Sequence, residues 1–338
     1  MNTTLLKVLL KGIATYIPGL YRLRWQRPDS RFLARYGYSV WLRHLTMAWK
    51  HGYKRIPGCV AELGPGMSLG TGLAALLSGA ETYYALDVLE YADPARDPEV
   101  LDELADLFRR RAPIPDQAEF PRVEPTLEAY EFPHAILTEA VLGRALAEER
   151  IQSIRGELAG ARRSGPGDRR VTYFVPWHDP GVVKRESVDM VFSQAVMQYV
   201  DDLEGTYDAM QLWLKPGGLM SHQIAFHCHG AARTWNGHWT YSDLVWKLIR
   251  GKRPSFITRL PCSAHLECLA KFGFQVIGEV RMTRPSDLAR RRLAARFADL
   301  SDEDLRTAGL FVQAIKGPAE VGPADAGGRG IGRSPQGV

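Results

Sequence analysis

A glycine-containing turn between two apolar segments constrains this chain more than any other feature. Residues 60–66 read Val-Ala-Glu-Leu-Gly-Pro-Gly, and residues 81–87 read Glu-Thr-Tyr-Tyr-Ala-Leu-Asp. The first segment predicts a strand that leads through a turn into a helix, and the second predicts a neighbouring strand that ends in the carboxylate of Asp87. This order is typical of an open α/β sheet that holds a nucleoside, so the sequence predicts an adenosine-containing cofactor.

The residues around the turn favour S-adenosylmethionine over a dinucleotide. A dinucleotide-binding turn needs a third glycine to pack helix and strand around a pyrophosphate, and this chain has Leu69 there. Gly64 and Gly66 still allow the backbone to approach a ligand closely. Glu62 suits a cationic amine better than a pyrophosphate, and Asp87 suits the two hydroxyls of a ribose. We therefore expect the methionine ammonium near Glu62 and the ribose on Asp87.

Later segments fit the same sheet. Residues 187–193 predict a buried strand, and residues 194–200 continue from its C-terminal end, where such sheets place their sites. A helix is predicted to stop at residues 214–218, which read Leu-Lys-Pro-Gly-Gly, and the next strand to begin at Leu219. Residues 309–314 are predicted to form the last strand.

The order of these motifs resembles the class I S-adenosylmethionine-dependent methyltransferases, specifically the broad small-molecule, methyltransferase type 11-like group. The resemblance covers residues 56–316 and implies an α/β fold: a Rossmann-like, seven-stranded, mostly parallel sheet with one antiparallel strand and helices on both faces. By this resemblance, Glu62, Gly64 and Gly66 match the cofactor turn of the family and Asp87 matches its ribose-binding acid. Ser193 and Gln194 match the edge of its site. The candidate cofactor-binding residues are Glu62, Gly64, Pro65, Gly66, Asp87, Val88, Pro176, Trp177, Ser193 and Gln194.

Two positions depart from the family pattern. Ser68 stands where many members have a further glycine. No acidic residue clearly follows the third predicted strand, residues 171–174, although such an acid often contacts the adenine amine in this family. Pro176, Trp177 and Asp179 are the available substitutes.

The chain of 338 residues is longer than this fold requires. Residues 1–55 are predicted to be an N-terminal helical extension, residues 56–316 the methyltransferase domain, and residues 317–338, rich in Gly, Pro and Ala, a disordered tail. An insertion of about residues 92–168 follows the second strand. It is predicted to contain helices over residues 99–111 and 133–161 and to form either a substrate cap or surface decoration.

The N-terminal extension has helical patterns near residues 5–10 and 38–45. The first apolar run is too short to span a bilayer, and Lys7 and Lys11 interrupt it. We expect the extension to pack on the catalytic domain as a lid. The alternative is a helix on a membrane surface that turns Lys7, Lys11, Arg22 and Arg24 toward lipid head groups.

Methyl transfer is an in-line displacement, so an acceptor oxygen or nitrogen must come within roughly 3 Å of the methyl carbon, and a hydroxyl must also lose its proton. The candidate base is His222, with a hydrogen-bonded core histidine as the alternative. Tyr199 is a candidate for contact with acceptor or cofactor. The residues predicted to bind the acceptor are His227, His229, Trp235, Asn236 and His238.

Metal binding is not predicted. His227 and His229 alternate in a way that can bind a metal, but no third ligand has a clear spacing. Cys262, His265 and Cys268 recur every three residues, which predicts a buried helix stripe. The four cysteines form no Cys-x-x-Cys pair, and a reducing cytoplasm is the simplest location, with contact at the membrane periphery as the alternative.

A formal net charge of +5 raises the question of a nucleic-acid partner. The basic residues are spread along the chain and no nucleic-acid module is visible, so the sequence argues against one. The predicted function is O-methylation of a small-molecule or glycan acceptor, and indole and amide groups favour a sugar. The alternatives are N-methylation of an amine or a nucleic-acid base, and a non-catalytic scaffold with the cofactor fold. The oligomeric state stays open.

Overall fold

The computed structural model describes residues 3–17, 28–163, 169–253 and 255–317. The predicted tail, apart from Gly317, lies outside these residues, as do Arg22 and Arg24. The strands are β1 (Cys59–Leu63), β2 (Thr82–Leu86), β3 (Arg162–Arg163), β4 (Val171–Phe174), β5 (Val188–Gln194), β6 (Leu214–Ala225), β7 (Phe274–Thr283) and β8 (Thr307–Lys316). The α-helices are α1 (Thr3–Ala14), α2 (Ser30–Lys50), α3 (Gly70–Leu77), α4 (Pro98–Arg109), α5 (Glu139–Ala145), α6 (Glu148–Leu158), α7 (Leu203–Trp213), α8 (Asp243–Arg250), α9 (Cys262–Lys271) and α10 (Asp302–Arg306).

The strands form one sheet in the order β3-β4-β2-β1-β5-β6-β8-β7. Every neighbouring pair from β3 to β6 is parallel, and β8 runs antiparallel to both β6 and β7. The predicted Rossmann-like, mostly parallel sheet with one antiparallel strand is confirmed, and the two-residue β3 adds an eighth strand at one edge. The strand order reverses between β1 and β5, where open α/β sheets bind their ligands.

Helices cover both faces of the sheet, as predicted. Side chains alternate between faces along a strand, so Val60 and Ala61 of β1 belong to different apolar clusters. One cluster packs the sheet against α2, α3, α4 and α6, and the other packs it against α7 and α9. The sheet is therefore a buried middle layer, and only its strand ends are available for a site.

Helix α2 belongs to the core. Asp29 caps its first turn by accepting a hydrogen bond from the Phe32 amide at 2.7 Å. The fully buried Trp41 donates its indole N–H to Ser78 Oγ at 2.7 Å. His44, also fully buried, lies 2.6 Å from Ser221 Oγ through Nδ1 and 3.1 Å from Gln194 Oε1 through Nε2. Because α2 is fixed to the sheet, the predicted lid role can apply only to α1.

The insertion differs from prediction in one respect. The helix predicted over residues 99–111 is present as α4, but the single helix predicted over residues 133–161 is wrong, since α5 and α6 are separate. Ala145 and Ile151 are both buried although six residues apart, which is not a helical repeat. The break between the two helices allows the apolar side of α5 and the apolar side of α6 each to pack on the core.

Strand β6 begins five residues earlier than predicted. Helix α7 ends at Trp213, and Leu214 already pairs with Val188 of β5. Residues 215–218 then form an irregularity, because the next pair joins Met190 to Leu219. The Leu-Lys-Pro-Gly-Gly segment thus marks a bulge within the strand as well as the helix exit.

Candidate active site

The glycine turn lies at the C-terminal ends of three strands. Gly64 donates its amide to the Leu86 carbonyl at 2.8 Å, which joins the ends of β1 and β2. Gly64 and Gly66 have φ angles of 66° and 71°, in the left-handed region that favours glycine. A Cβ on Gly64 would lie 2.6 Å from a methyl group of Val196, just after β5, whereas a Cβ on Gly66 would meet no atom within 4 Å. The turn is therefore packed against Val196 at Gly64, whereas its side at Gly66, where a Cβ would point, is open.

Asp87 lies directly beside this turn, at the end of β2. Its carboxylate accepts hydrogen bonds from the amides of Val88, Leu89 and Gly66. Burial raises the pKa of Asp87 to about 6, against the opposing effect of those amides. The carboxylate thus sits at the edge of the open side of the turn, and its contact with a ribose stays a prediction.

Glu62 is buried within β1, close behind the turn. Its carboxylate accepts a hydrogen bond from the Tyr83 hydroxyl at 2.5 Å and further bonds from the Thr71 hydroxyl and the Gly72 amide. Gly72 makes room for the Tyr83 ring, which a Cβ there would overlap. Burial raises the pKa of Glu62 to about 8. Its hydrogen bonds go to protein donors, so Glu62 ties β1, β2 and α3 together, and direct contact with a cofactor ammonium stays a prediction.

The remaining predicted cofactor residues lie in two places. Trp177 donates its amide to the Asp87 carbonyl at 3.0 Å, so Trp177 and the exposed Pro176 follow β4 beside Asp87. Val88, next to Asp87, is also exposed. Pro65 forms the middle of the turn.

Ser193 and Gln194 are directed away from the turn. Ser193 is fully buried, with its Oγ 2.8 Å from His222 Nδ1 inside the sheet layer, so the prediction that it lines the site edge is corrected. Gln194 donates to the Glu124 carbonyl at 3.1 Å and contacts His44, so it links the insertion to α2.

His222 is buried on the wrong face for a base. It shares that face with Met220, which packs between the sheet and helices α7 and α9. His222 is fully buried, and its Nε2 has no hydrogen-bond partner among the described residues. Burial lowers its pKa to about 3. The alternative of a core histidine fits these contacts, because a base must reach the acceptor.

His227 and His229, after β6, form a ring cluster with Tyr199, which follows β5. The His227 and His229 ring centroids are 4.1 Å apart, and the Tyr199 ring lies 5.7 Å from His229. Burial, together with His227 and Arg122, lowers the pKa of His229 to about 4. Burial also lowers the pKa of His227, with smaller effects from Arg284 and Arg122. Both imidazoles are therefore neutral near pH 7, and the lowered pKa makes each a weaker base than a free imidazole.

Tyr91 connects this ring cluster to the cofactor side. It lies four residues after Asp87, and its charge would raise the pKa of Tyr199. Its hydroxyl is 2.9 Å from Ser255 Oγ, in the segment after α8. The loop after β2 therefore runs from Asp87 toward Tyr199 of the ring cluster.

The other three predicted acceptor residues hold the neighbouring loops together. Trp235 donates its indole N–H to the Pro285 carbonyl at 2.9 Å. Asn236 is buried and donates to Ser286 Oγ and to the Leu305 carbonyl at 2.8 and 3.0 Å. His238 is buried 4.8 Å from the Trp239 ring, and burial lowers its pKa to about 3. Asn236 is thus an interior residue, which does not fit its predicted contact with the acceptor. His238 lines a small cavity together with His227, so its role toward an acceptor stays a prediction.

The described residues contain no group of three His, Cys, Asp or Glu side chains arranged to hold a metal ion. Cys262, His265 and Cys268 are buried along one side of α9, as predicted for a packing stripe. All four cysteines are free.

Sequence reasoning missed three residues near the site. Tyr36 of α2 is half-buried near Glu62, and desolvation raises its pKa to about 12, with a smaller effect from the Glu62 charge. Arg122 of the insertion and Arg284 after β7 are exposed and influence the histidine pair. Arg122 could have been found only from the location of the insertion, which follows β2 and therefore begins near Asp87. Nothing in the local sequence distinguishes Arg284 from other exposed arginines.

Comparisons with known proteins give likenesses in fold. No protein-family model and no curated protein sequence matches this chain. An S-adenosylmethionine-dependent methyltransferase from Mesorhizobium loti matches 83% of this chain and 99% of its own at 16% identity, with a TM-score of 0.40. Phosphoethanolamine N-methyltransferase 2 of Haemonchus contortus, solved with S-adenosyl-L-methionine, matches at 15% identity and a TM-score of 0.40. That match covers 86% of this chain and 57% of the Haemonchus protein.

A methyltransferase from Methanosarcina mazei, described as SAM-dependent, matches 80% of this chain and 97% of its own at 10% identity, with a TM-score of 0.40. These three solved structures are described as methyltransferases. Because their TM-scores are below 0.5, the sheet order, and not these likenesses, defines the fold.

Proposed function

We propose that this chain is an S-adenosylmethionine-dependent methyltransferase that acts on the hydroxyl of a small-molecule or glycan acceptor. The observation that carries the proposal is the position of Asp87 beside the open side of the turn at Gly66. A ligand with a ribose and a cationic tail fits a site whose two carboxyls, on Asp87 and Glu62, are both raised in pKa by burial. S-Adenosylmethionine supplies an electrophilic methyl group on a sulfonium.

The residues that would hold this cofactor follow the ends of different strands, and each group would contact a different part of the cofactor. Asp87 would accept hydrogen bonds from the ribose hydroxyls, and main-chain groups of the turn from Gly64 to Gly66 would face the methionine tail. Val88 and Trp177 flank Asp87 and would contact the adenine. Glu62 would balance the cationic tail from behind the turn.

The base in this proposal is one of the neutral imidazoles of His227 and His229. The acceptor hydroxyl would donate its proton to the imidazole nitrogen as its oxygen forms the new bond to the methyl carbon. The bond from sulfur to that carbon breaks in the same step and leaves S-adenosylhomocysteine. Burial raises the pKa of the Tyr199 hydroxyl, so it stays protonated and can donate a hydrogen bond to the acceptor. Arg122 and Arg284 favour an acceptor that carries an anionic group.

Calorimetry with S-adenosylmethionine tests the cofactor site. Asp87→Asn should weaken binding by roughly 10- to 100-fold, because it removes charge-assisted hydrogen bonds to the ribose. Asp208→Asn, at an exposed position of α7, is the matched control and should bind like wild type. No binding heat with the wild-type protein would contradict the proposal and favour a scaffold.

Methyl-label transfer tests the chemistry. The wild type is incubated with labelled cofactor and pools of sugar nucleotides, oligosaccharides, amines and RNA, and label on a hydroxyl supports the proposal. His227→Ala or His229→Ala should lower kcat by about 10²-fold or more if that residue is the base. His178→Ala, at an exposed position, is the control. Label on nitrogen alone would overturn the O-methylation assignment, and near-normal rates in both histidine variants would overturn the base.

A further inference from the structure

Helix α1 is apolar on two sides. One side, which includes Leu5, Val8 and Leu9, packs in a cluster with Trp246 and Ile249 of α8. The other side faces outward: Leu6, Leu10 and Ile13 are 41%, 57% and 45% exposed, and Ile17 just beyond the helix continues the stripe. Their spacing of i, i+4, i+7 and i+11 puts these four residues on one face. A surface helix normally presents polar residues on that face.

Helix α8 extends this apolar surface. The backbones of α1 and α8 touch at Gly12, where a Cβ would overlap the Leu248 carbonyl. Thr15 Oγ1 accepts a hydrogen bond from the Lys252 amide at 2.8 Å, which fixes the end of α1 to the residues after α8. Leu244 and Leu248 of α8 are exposed, Leu244 by 70%. Seven of the twelve large exposed apolar residues in the described part of the chain lie on α1, on α8 or just after the end of α1, so exposed apolar side chains are concentrated on this pair of helices.

The charges on the same surface are basic. Helix α1 contains Lys7 and Lys11 and no acidic residue, and Lys247 of α8 is exposed. The one acid of α8, Asp243, is paired with Arg259 at 2.5 Å. Within the described ranges, no carboxylate pairs with Lys7, Lys11 or Lys247.

We infer that α1 and α8 form a docking surface for a membrane that contains anionic lipids. An apolar stripe bordered by lysines is the pattern of helices that lie in the interface of a bilayer. A second copy of this chain fits less well, because a two-fold contact would set these lysines against their own copies. No helix in the described residues has the length and apolar content needed to cross a bilayer, so the contact is peripheral.

The docking surface lies beside the ring cluster of the candidate active site. The apolar cluster under α1 and α8 includes Cys228 and is bordered by Tyr199, whose ring faces His229. Docking would therefore bring a lipid-borne acceptor next to the histidine pair. The surface itself does not depend on methyl transfer, and its test needs no cofactor.

The test is co-sedimentation of the full chain with vesicles of phosphatidylcholine alone or with 30% phosphatidylglycerol. We expect binding to the anionic vesicles that weakens as salt rises from 50 to 500 mM. The double variant Leu10→Glu/Ile13→Glu should reduce partitioning by roughly tenfold or more, because it replaces inserted apolar side chains with repelled carboxylates. Val276→Glu/Val280→Glu, at comparably exposed apolar positions on β7, should bind like wild type.

One further double variant and one further measurement keep the inference falsifiable. Lys7→Glu/Lys11→Glu changes exposed side chains and should abolish the preference for anionic vesicles while circular dichroism stays unchanged. Binding that is absent, or equal for all four proteins, would overturn the inference. So would a wild-type dimer in light scattering that Leu10→Glu/Ile13→Glu converts to a monomer, since the docking surface would then be an interface between copies.

Discussion

Two buried carboxyls at neighbouring strand ends give the candidate site its electrostatic character. Burial raises the pKa of Glu62 to about 8 and that of Asp87 to about 6, and the Asp87 charge further raises the pKa of Glu62. Each carboxyl is therefore difficult to ionise while the other is charged. In the proposed site, a cationic ligand near both carboxyls would offset this cost, which gives a physical reason to propose a sulfonium with an ammonium group as the ligand.

This coupling predicts the pH dependence of cofactor binding. The cation favours ionised Glu62, so binding should release a proton and tighten as pH rises toward 8, by at most about tenfold per pH unit. Glu62→Gln should make the affinity nearly independent of pH over the same range, and calorimetry from pH 6 to 8.5 measures both. A wild-type affinity that is flat or falls with rising pH would show that Glu62 stays protonated in the complex.

The raised pKa of Glu62 affects folding stability in the opposite direction: the free energy of unfolding should fall as pH rises. Because the pKa of Glu62 rises from its ordinary 4.5 to about 8 on folding, the folded protein holds a proton that the unfolded chain releases. Its contribution to the free energy of unfolding is complete below pH 4.5 and is lost as pH rises through 8. Urea unfolding of the ligand-free protein should show this decline, and Glu62→Gln should flatten it.

At the scale of elements, the turn after β1 is shaped by its glycines and by the residues after β5. The left-handed φ of Gly64 and the Val196 methyl group both exclude a side chain there. Val196 belongs to the segment after β5, so the strand on the other side of β1 completes the turn. The glycine motif is visible in the sequence, but its contact with Val196 depends on the sheet order.

Gly64→Ala should therefore be costly. We expect a loss of stability of about 1–3 kcal/mol from the strained backbone and a large loss of cofactor affinity, measured by thermal unfolding and calorimetry. Gly156→Ala in α6 is the matched control, since a Cβ there meets no atom within 4 Å and its φ is ordinary. It should be neutral or stabilise the protein by up to about 1 kcal/mol. Equal behaviour of the two variants would contradict this account of the turn.

At the scale of the whole molecule, α2 joins the insertion to the sheet. Arg43 is fully buried, and its guanidinium donates to the carbonyls of Pro115, Val123 and Pro125 at 2.7–2.8 Å. Burial lowers its pKa. These bonds hold the Pro-rich part of the insertion, which also carries Arg122, against the strand ends. The Pro-rich part of the insertion is thus fixed to α2.

Arg43→Met should destabilise the protein, because three buried carbonyls lose their donor. One hydrogen bond to a charged group contributes about 1.5–3 kcal/mol, and we expect a loss of at least this size. Urea unfolding measures the loss. Arg31→Met, at an exposed position of the same helix, should change stability by less than about 0.5 kcal/mol. A small effect of Arg43→Met would show that the insertion is held by its apolar contacts alone.

The sequence predicted the parts of the fold that depend on local pattern. The strand, turn and carboxylate of residues 60–87 lie next to each other because parallel strands joined by one short helix are neighbours in a sheet. The buried strand at residues 187–193 and the stripe of Cys262, His265 and Cys268 followed from periodicity. The break between α5 and α6 did not follow from periodicity. It depends on how each of the two helices packs its own apolar side on the core.

What the sequence alone determined is the sheet, the glycine turn and the acid beside it, since short-range spacing and alternation specify them. The tertiary structure decided which polar residues reach the site. Ser193 and His222 pair inside the sheet, whereas His227 and His229 emerge after it and meet Tyr199, Arg122 and Arg284 from distant segments. Which face of a buried strand a side chain occupies, and which remote residues meet there, depends on register and packing between elements far apart in the chain.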